Sequence, residues 1–218
     1  MLEQLFGYLP SMYFIAQGTI ITLKYSVTSV LLGLIIGILL AICKVSKNCV
    51  LRLFANFYTS IFRGTPLLIQ LSIIYFGMPS LIGVKLSVFV AGVIAFSLNS
   101  GAYVSEIIRA GINAVDQGQI EVAKALSIPK GLMMQDIILP QAIRNILPSL
   151  VNELINLIKE SAIISMVGEM DLMRRAQIVS ADTYSYFTPL LVAGICYYIM
   201  VTIISNLAKL LEKRLSIT

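Results

Sequence analysis

The run YSVTSVLLGLIIGILLAIC, residues 25–43, decides the fold class of this chain. It holds 19 residues with no Asp, Glu, Lys or Arg, and an α-helix needs roughly 20 apolar residues to cross the hydrocarbon core of a bilayer. Residues 86–105 and 183–208 form two further uncharged runs, of 20 and 26 residues. These three runs predict three transmembrane helices.

The composition of the whole chain agrees with a membrane location. Of its 218 residues, 58% are hydrophobic and 12% are charged, whereas about 25% are charged in an ordinary soluble domain. The net charge of +5 comes from basic residues scattered between apolar runs, which argues against a nucleic-acid partner. With no histidine and three cysteines lacking a CxxC spacing, no metal site or disulfide is expected. We predict an all-α, polytopic helix bundle surrounded by lipid.

Two less regular segments complete the predicted bundle. Residues 64–84 are uncharged but contain Pro66, Gly77 and Pro79, so we predict a second span at about 54–78 that starts before the prolines. Residues 146–167 are apolar apart from a polar group, Asn152, Glu153, Asn156, Lys159, Glu160 and Ser161. The predicted permease domain, 19–211, therefore has five spans, at about 21–43, 54–78, 86–105, 146–167 and 187–208. Residues 1–18 and 212–218 are predicted to be an external segment and a cytoplasmic tail.

Basic residues predict the orientation, because cytoplasmic segments of membrane proteins are enriched in Lys and Arg. With the C-terminus inside, the cytoplasmic side holds eleven of them: Lys44, Lys47, Arg52, Arg63, Arg109, Lys124, Lys130, Arg144, Lys209, Lys213 and Arg214. The outer side holds four: Lys24, Lys85, Arg174 and Arg175. The N-terminus is therefore predicted outside, and the longest inner loop is about 106–143.

This inner loop has the signals of a helix-turn-helix at about 116–140. Asp116 and Gln119 have the spacing of a capping box, which predicts a helix from about Gln117 to Leu126. Ser127 is expected to cap a second helix, with Pro129 in its first turn. These features fit either a coupling element that a partner receives or an interfacial helix that only anchors the bundle.

The spacing of this loop resembles that of the EAA loop of ABC importer permeases. The matching residues are Glu121-Val-Ala123, Ser127 and Ile137-Ile-Leu139-Pro140, although Val122 replaces an alanine of the family pattern and Ser127 replaces its glycine. Five more segments are similar to the polar amino-acid permeases, most of all the glutamine-type: Gly18-Thr19 to Leu23, Arg63-Gly-Thr-Pro-Leu-Leu68, Asn99-Ser-Gly-Ala-Tyr103 with Glu106 and Arg109, Gly118-Gln119, and Lys159-Glu-Ser-Ala-Ile163. The resemblance covers most of the chain.

The resemblance implies a transport subunit of the bacterial inner membrane, not an enzyme. The implied ATPase-coupling residues are Glu121, Ala123, Ser127, Gly131, Ile137, Leu139 and Pro140. Because the chain has no GxxxxGK[ST] loop, ATP and Mg²⁺ are expected on a partner ATPase dimer, and no cofactor is expected in this chain. The other implied partners are a second permease copy or a similar permease and an external amino-acid-binding protein.

The polar fourth span is the candidate substrate site. Each ionised residue at the centre of a span costs roughly 2.5–3.5 kcal/mol on insertion scales, and Glu153, Asn156 and Glu160 share one helix face by their i, i+3, i+7 spacing. We expect them to bind the ammonium group of an amino acid, with Arg63 or the region of Ser100 facing its carboxylate. Alternatively, Lys159 and Glu160 only hold the spans in register.

The cargo has two candidate identities from the sequence alone. The family resemblance implies glutamine, whereas the two carboxylates suit a cationic amino acid such as arginine, histidine or lysine. A stand-alone carrier driven by an ion gradient is a third possibility, since such carriers also hold ionisable groups inside the membrane.

Overall fold

In the computed structural model, residues 2–216 are described, with side chains from Leu9 to Leu210 and at Lys213. These residues contain no β-strand, and their helices are α1 Leu2–Val45, α2 Cys49–Gly64, α3 Leu67–Ile82 with a π-helical segment at Ile73–Gly77, α4 Val88–Asn113, α5 Gln117–Ala125, α6 Lys130–Leu132, α7 Leu139–Glu160, α8 Leu172–Thr183 and α9 Phe187–Ser216. A π-helical segment, Met133–Ile138, joins α6 to α7, and a 3₁₀ segment, Ser161–Val167, extends α7. We call the end with α5 the inner end and the opposite end the outer end.

Helices α1 and α4 form the most extensive helix pair among the described residues, and glycines let their backbones approach. A Cβ atom added to Gly33 would lie 2.8 Å from the Ser100 Cβ, and one added to Gly37 would lie 2.4 Å from the Val104 Cγ1. The contacts advance by four residues on both helices, so α1 and α4 run parallel. The GxxxG spacing of Gly33 and Gly37 is therefore a true helix contact.

Three helices are long and apolar enough to cross a membrane among the described residues: Leu9–Val45, Val88–Asn113 and Phe187–Leu210. They contain the first and fifth predicted spans and all of the third except residues 86–87, which precede Val88. Residues 2–18 are not a separate segment, because α1 runs without interruption from Leu2. Helix α9 likewise continues through most of the predicted tail, 212–218, of which residues 217–218 lie outside the described part.

The second span is not the single helix predicted for 54–78. Helices α2 and α3 meet at an angle of 103°. Pro66 has no N–H to continue a helix and disfavours helical geometry in the residue before it, and Thr65 is extended (φ −123°, ψ 144°). The amide of Gln70 closes the bend by donating to the Phe62 and Thr65 carbonyls at 2.9 and 3.0 Å. Gly77 and Pro79, by contrast, lie inside α3 without ending it.

Helix α7 runs antiparallel to α4 and carries the polar residues of the predicted fourth span. Near the inner end Ile146 fills the space over Gly111, where a Cβ would lie 2.3 Å from its Cγ1. Near the outer end Ile164 fills the space over Gly92 in the same way. Glu153 lies between these contacts, beside Ser100, which is close to the middle of the 26-residue α4. The predicted site is therefore placed near the middle of the bundle.

Candidate substrate pathway and coupling loop

Helix α7 presents a polar stripe along one face. Asn145, Ser149, Asn152, Asn156 and Glu160 follow one another at spacings of three or four residues, which aligns them on an α-helix. All are exposed except Ser149, which is half-buried. Leu157 and Ile158, on other faces, are fully buried. Polar groups in the middle of a membrane protein usually line a water-filled cavity or a substrate path, so this stripe is the candidate pathway surface.

Glu153 lies at the edge of the stripe, where α7 meets α4. Its side chain is only 6% exposed, and the fully buried Ser100 hydroxyl lies next to its carboxylate. The Ser100 hydroxyl completes no hydrogen bond within the described residues, although buried polar groups are normally paired. A buried carboxylate and a hydroxyl close enough to interact with it are thus held together. Asn156 and Glu160 share the helix face, as the spacing predicted.

Arg63 lies about one turn of α4 nearer the inner end than Ser100. Its guanidinium carbon lies 5.3 Å from the ring centroid of Tyr103, and Tyr103 follows Ser100 by three residues, or about 4.5 Å along the axis of α4. Arg63 Nη1 is also 3.9 Å from Glu106 Oε2, and its side chain is 44% exposed. Arg63 therefore belongs to a charged group at the inner side of the candidate site.

Glu106 is the centre of this charged group, and its oxygens are already occupied. Lys44 Nζ donates to Oε1 at 2.5 Å and to the Ser105 hydroxyl at 2.9 Å. Arg109 donates to Oε2 from Nη2 at 2.7 Å and from Nε at 3.0 Å. Three cations thus surround one carboxylate, and Arg63 is the one whose distance is too long for a hydrogen bond. The i, i+3 spacing predicts the Arg109 pair, whereas no sequence signal points to buried Lys44 on α1.

The coupling loop contains the first predicted helix, α5, almost residue for residue. Asp116 caps it by accepting from the backbone N–H groups of Gly118 and Gln119 at 2.6 and 3.3 Å. The reciprocal half of the capping box is not seen, because the side chain of Gln119 accepts from Gln141 Nε2 at 2.6 Å instead. That bond ties α5 to the start of α7.

The prediction that Ser127 caps the second helix is wrong. Ser127 has a φ of +56°, and it closes the end of α5 instead. Its N–H donates to the Lys124 carbonyl at 2.9 Å and that of Ile128 donates to the Ala123 carbonyl at 3.0 Å, which is the Schellman pattern of helix termination. Ser127, at the position of the glycine in the family pattern, thus has a left-handed backbone, and Pro129 then leads into α6.

The predicted coupling residues divide between an inner cluster and an exposed surface. Ala123 is 1% exposed and packs with Met133, Ile138 and Ala142, with Ile137 at the edge of this cluster. The exposed members are Glu121, Ser127, Gly131, Leu139 and Pro140, and two neighbouring residues that were not predicted, Val122 and Leu126, are exposed beside them. Leu126 and Val122 are 70% and 59% exposed, which is typical of a surface that a partner covers.

Comparison with known proteins assigns the chain to a family. Residues 33–217 match the family model described as a binding-protein-dependent transport system inner membrane component. The chain belongs to this family. It is thus a membrane-spanning, multi-pass permease subunit of an ABC importer, whose ATP hydrolysis resides in a separate subunit. The family also implies an ATPase and a binding protein as its partners.

Individual relatives of this permease match over nearly their whole length. A protein of Rickettsia typhi, provisionally named a glutamine transport system permease protein, is 71% identical, with 99% of each chain covered. The arginine transport system permease protein of Bacillus subtilis is 54% identical, with 95% of this chain and 94% of that protein covered. A crystal structure of an amino acid ABC transporter with histidines is 42% identical, with a TM-score of 0.90 and 98% of both chains covered.

Proposed function

We propose that this permease carries glutamine across the bacterial inner membrane and binds it on the polar face of α7. The observation that carries the proposal is the buried Glu153 carboxylate beside the buried Ser100 hydroxyl, near the middle of the bundle. The family and the name of the Rickettsia typhi relative support an amino-acid cargo of this kind. Every free amino acid brings an ammonium group, and a buried carboxylate is its natural partner.

The remaining residues of the stripe fit the rest of such a cargo. Glu160 lies seven residues beyond Glu153, or about 10 Å along the helix, and is a second acidic group on the pathway toward the outer end. Asn156, between them, offers both an amide donor and an amide acceptor for the glutamine side chain. The proposed site therefore binds the ammonium group and the side-chain amide from one helix.

Arg63 is the proposed partner of the cargo's carboxylate. Lys44 and Arg109 occupy both oxygens of Glu106, so the guanidinium of Arg63 keeps N–H donors that Glu106 does not use. The Tyr103 ring, whose centroid lies 5.3 Å from the guanidinium carbon, restrains the Arg63 side chain. A guanidinium binds a carboxylate through paired hydrogen bonds. Its offset of one helical turn from Ser100 is compatible with a cargo oriented with its carboxylate toward the inner end.

The coupling loop is the proposed contact with the ATPase dimer, which holds ATP and Mg²⁺. Exposed Leu126 and Val122 would enter a cleft of the ATPase, and the buried cluster around Ala123 would let α5 move as a rigid body. Because Gln141 joins α5 to α7, that motion would reach Glu153 directly. A second permease copy and an external binding protein complete the proposed assembly.

A cationic amino acid is the second candidate cargo. Glu153 and Glu160 together would balance the side chain of arginine as well as its ammonium group, and the Bacillus subtilis relative is named for arginine. Glutamine stays the first candidate because the relative named for glutamine is 71% identical, whereas the relative named for arginine is 54% identical.

Uptake by proteoliposomes that contain the permease, its ATPase and its binding protein tests these proposals. Labelled glutamine should enter in an ATP-dependent manner, and Glu153→Gln should abolish most of that uptake while the ATPase still co-purifies. Asp182→Asn, which neutralises an exposed acid on α8, is the matched control and should transport normally. Normal uptake by Glu153→Gln would overturn the proposed site, and preferential arginine uptake would replace the cargo.

A further inference from the structure

Tyr25 is fixed in the packed core toward the outer end of the bundle. Its side chain is fully buried, and its ring lies edge-on to Phe89, with the centroids 4.9 Å apart, and more distantly to Phe96 at 6.2 Å. Gly92 supplies the space for it, since a Cβ there would lie 2.6 Å from Tyr25 Cε1. The hydroxyl of Tyr25 therefore has a position set by α1 and α4 together.

That hydroxyl donates a hydrogen bond to Glu169. Glu169 lies in the connector between the 3₁₀ extension of α7 and the start of α8, nine residues beyond Glu160. Leu172, the first residue of α8 and directly after this connector, makes two more contacts with α1. The Leu172 N–H points to the Thr22 hydroxyl at 3.4 Å, and a Cβ added to Gly18 would lie only 2.5 Å from Leu172 Cα. The outer support of α7 is thus built on α1.

The two ends of α7 have different supports. Its inner end continues into the coupling loop, which the proposed mechanism requires to move. Its outer end continues through the 3₁₀ segment, where Ile164 packs over Gly92 at a position that also touches Tyr25. A binding residue keeps its geometry only when the groups that support it are themselves held by packing and hydrogen bonds. The Tyr25–Glu169 contact is such a support for the last turn of α7.

We infer that Tyr25 and Glu169 are positioning residues that fix the outer end of α7 and thereby hold Glu160 in its cargo-binding geometry. This inference rests on the proposed substrate site. Neither residue is assigned a contact with the cargo. Their effect should therefore appear in the concentration of cargo that half-saturates transport, rather than in assembly of the complex.

The test measures initial glutamine uptake by the complete complex over a range of glutamine concentrations. Tyr25→Phe removes only the hydroxyl and with it the hydrogen bond to Glu169. The half-saturating concentration should rise by about three- to tenfold, because only part of the free energy of that hydrogen bond reaches the cargo site that it supports. Glu169→Leu should act similarly, and the double variant should be no worse than either single one. Glu169→Gln keeps an acceptor for Tyr25 and should restore near-normal uptake.

Tyr58→Phe is the matched control, because the Tyr58 hydroxyl donates to the Leu98 carbonyl at 2.8 Å, away from the connector. It should leave the half-saturating concentration unchanged. Additive effects of Tyr25→Phe and Glu169→Leu, or equal losses in Tyr25→Phe and Tyr58→Phe, would overturn the inference. If Glu153→Gln and Glu160→Gln transport normally, the proposed site itself fails; if they are inactive while Tyr25→Phe is normal, only the positioning role fails.

Discussion

Replacing Ser127 by glycine should strengthen the turn at the end of α5. Ser127 has a φ of +56°, a left-handed geometry that costs an L-residue roughly 1–2 kcal/mol and costs glycine almost nothing. Glycine in turn loses more backbone freedom on folding, by roughly 0.5–1 kcal/mol. The net stabilisation of the turn should therefore be about 0.5–1 kcal/mol, or a factor of about two to five in the equilibrium for forming it.

Two measurements on the permease in lipid nanodiscs report this change. In Ser127→Gly, amide hydrogen exchange at positions 127 and 128 should be slower than in the wild type by about that factor. The N–H groups at these two positions make the closing hydrogen bonds, at 2.9 and 3.0 Å. Titration with the ATPase subunit should show equal or tighter binding, since a preformed turn loses less conformational entropy on docking.

Ser127→Ala is the control for this prediction. Alanine lacks the hydroxyl but has the same restriction at positive φ, so its exchange rates should match those of the wild type. Faster exchange in Ser127→Gly would refute the strain argument. Equal protection in Ser127→Ala and Ser127→Gly would show that the hydroxyl, and not the backbone angle, weakens the turn.

Three further changes have defined expectations. Gly37→Ala should loosen the α1–α4 pair, because its Cβ would lie 2.4 Å from Val104 Cγ1; thermal unfolding of the purified permease should show a lower midpoint, and Val104→Ala should restore it. Glu106→Gln should lower the unfolding midpoint more than Arg109→Gln, since it leaves buried Lys44 without its charge partner. Burial raises the pKa of Asp171 to about 6, although N–H groups of α8 oppose this. Because the folded state then binds a proton that the unfolded state has released, the wild type should lose stability as the pH rises from about 4 to 6. Asp171→Asn, which keeps a capping oxygen, should show no such loss.

Span positions were predictable because they depend on composition over about 20 consecutive residues. The uncharged run at residues 25–43 lies inside α1, and residues 88–105 of the second run lie inside α4, for that reason. The bend at Pro66 was less predictable: proline signals a break, but its 103° angle depends on Gln70 and on Asn99, whose Nδ2 donates to the Phe62 carbonyl at 3.0 Å. Such a bend is set by contacts with other helices, which local sequence does not contain.

The candidate site shows the same division between local and distant information. Helical spacing placed Glu153, Asn156 and Glu160 on one face without any structure. Lys44, by contrast, lies 62 residues before Glu106, and only the parallel packing of α1 on α4 brings them together. The prediction that Ser127 caps the second helix was wrong because serine favours helix N-caps, whereas the end of the preceding helix, α5, determines the backbone at this position.

The most direct test of the proposed cargo site is a structure of the complete importer with glutamine trapped in the permease. We expect cargo density on the polar face of α7, with the ammonium nitrogen about 2.7–3.0 Å from a Glu153 oxygen and the carboxylate directed toward Arg63. Density for glutamine away from Glu153, or a Glu153 carboxylate that stays buried against α4 without touching the cargo, would contradict it.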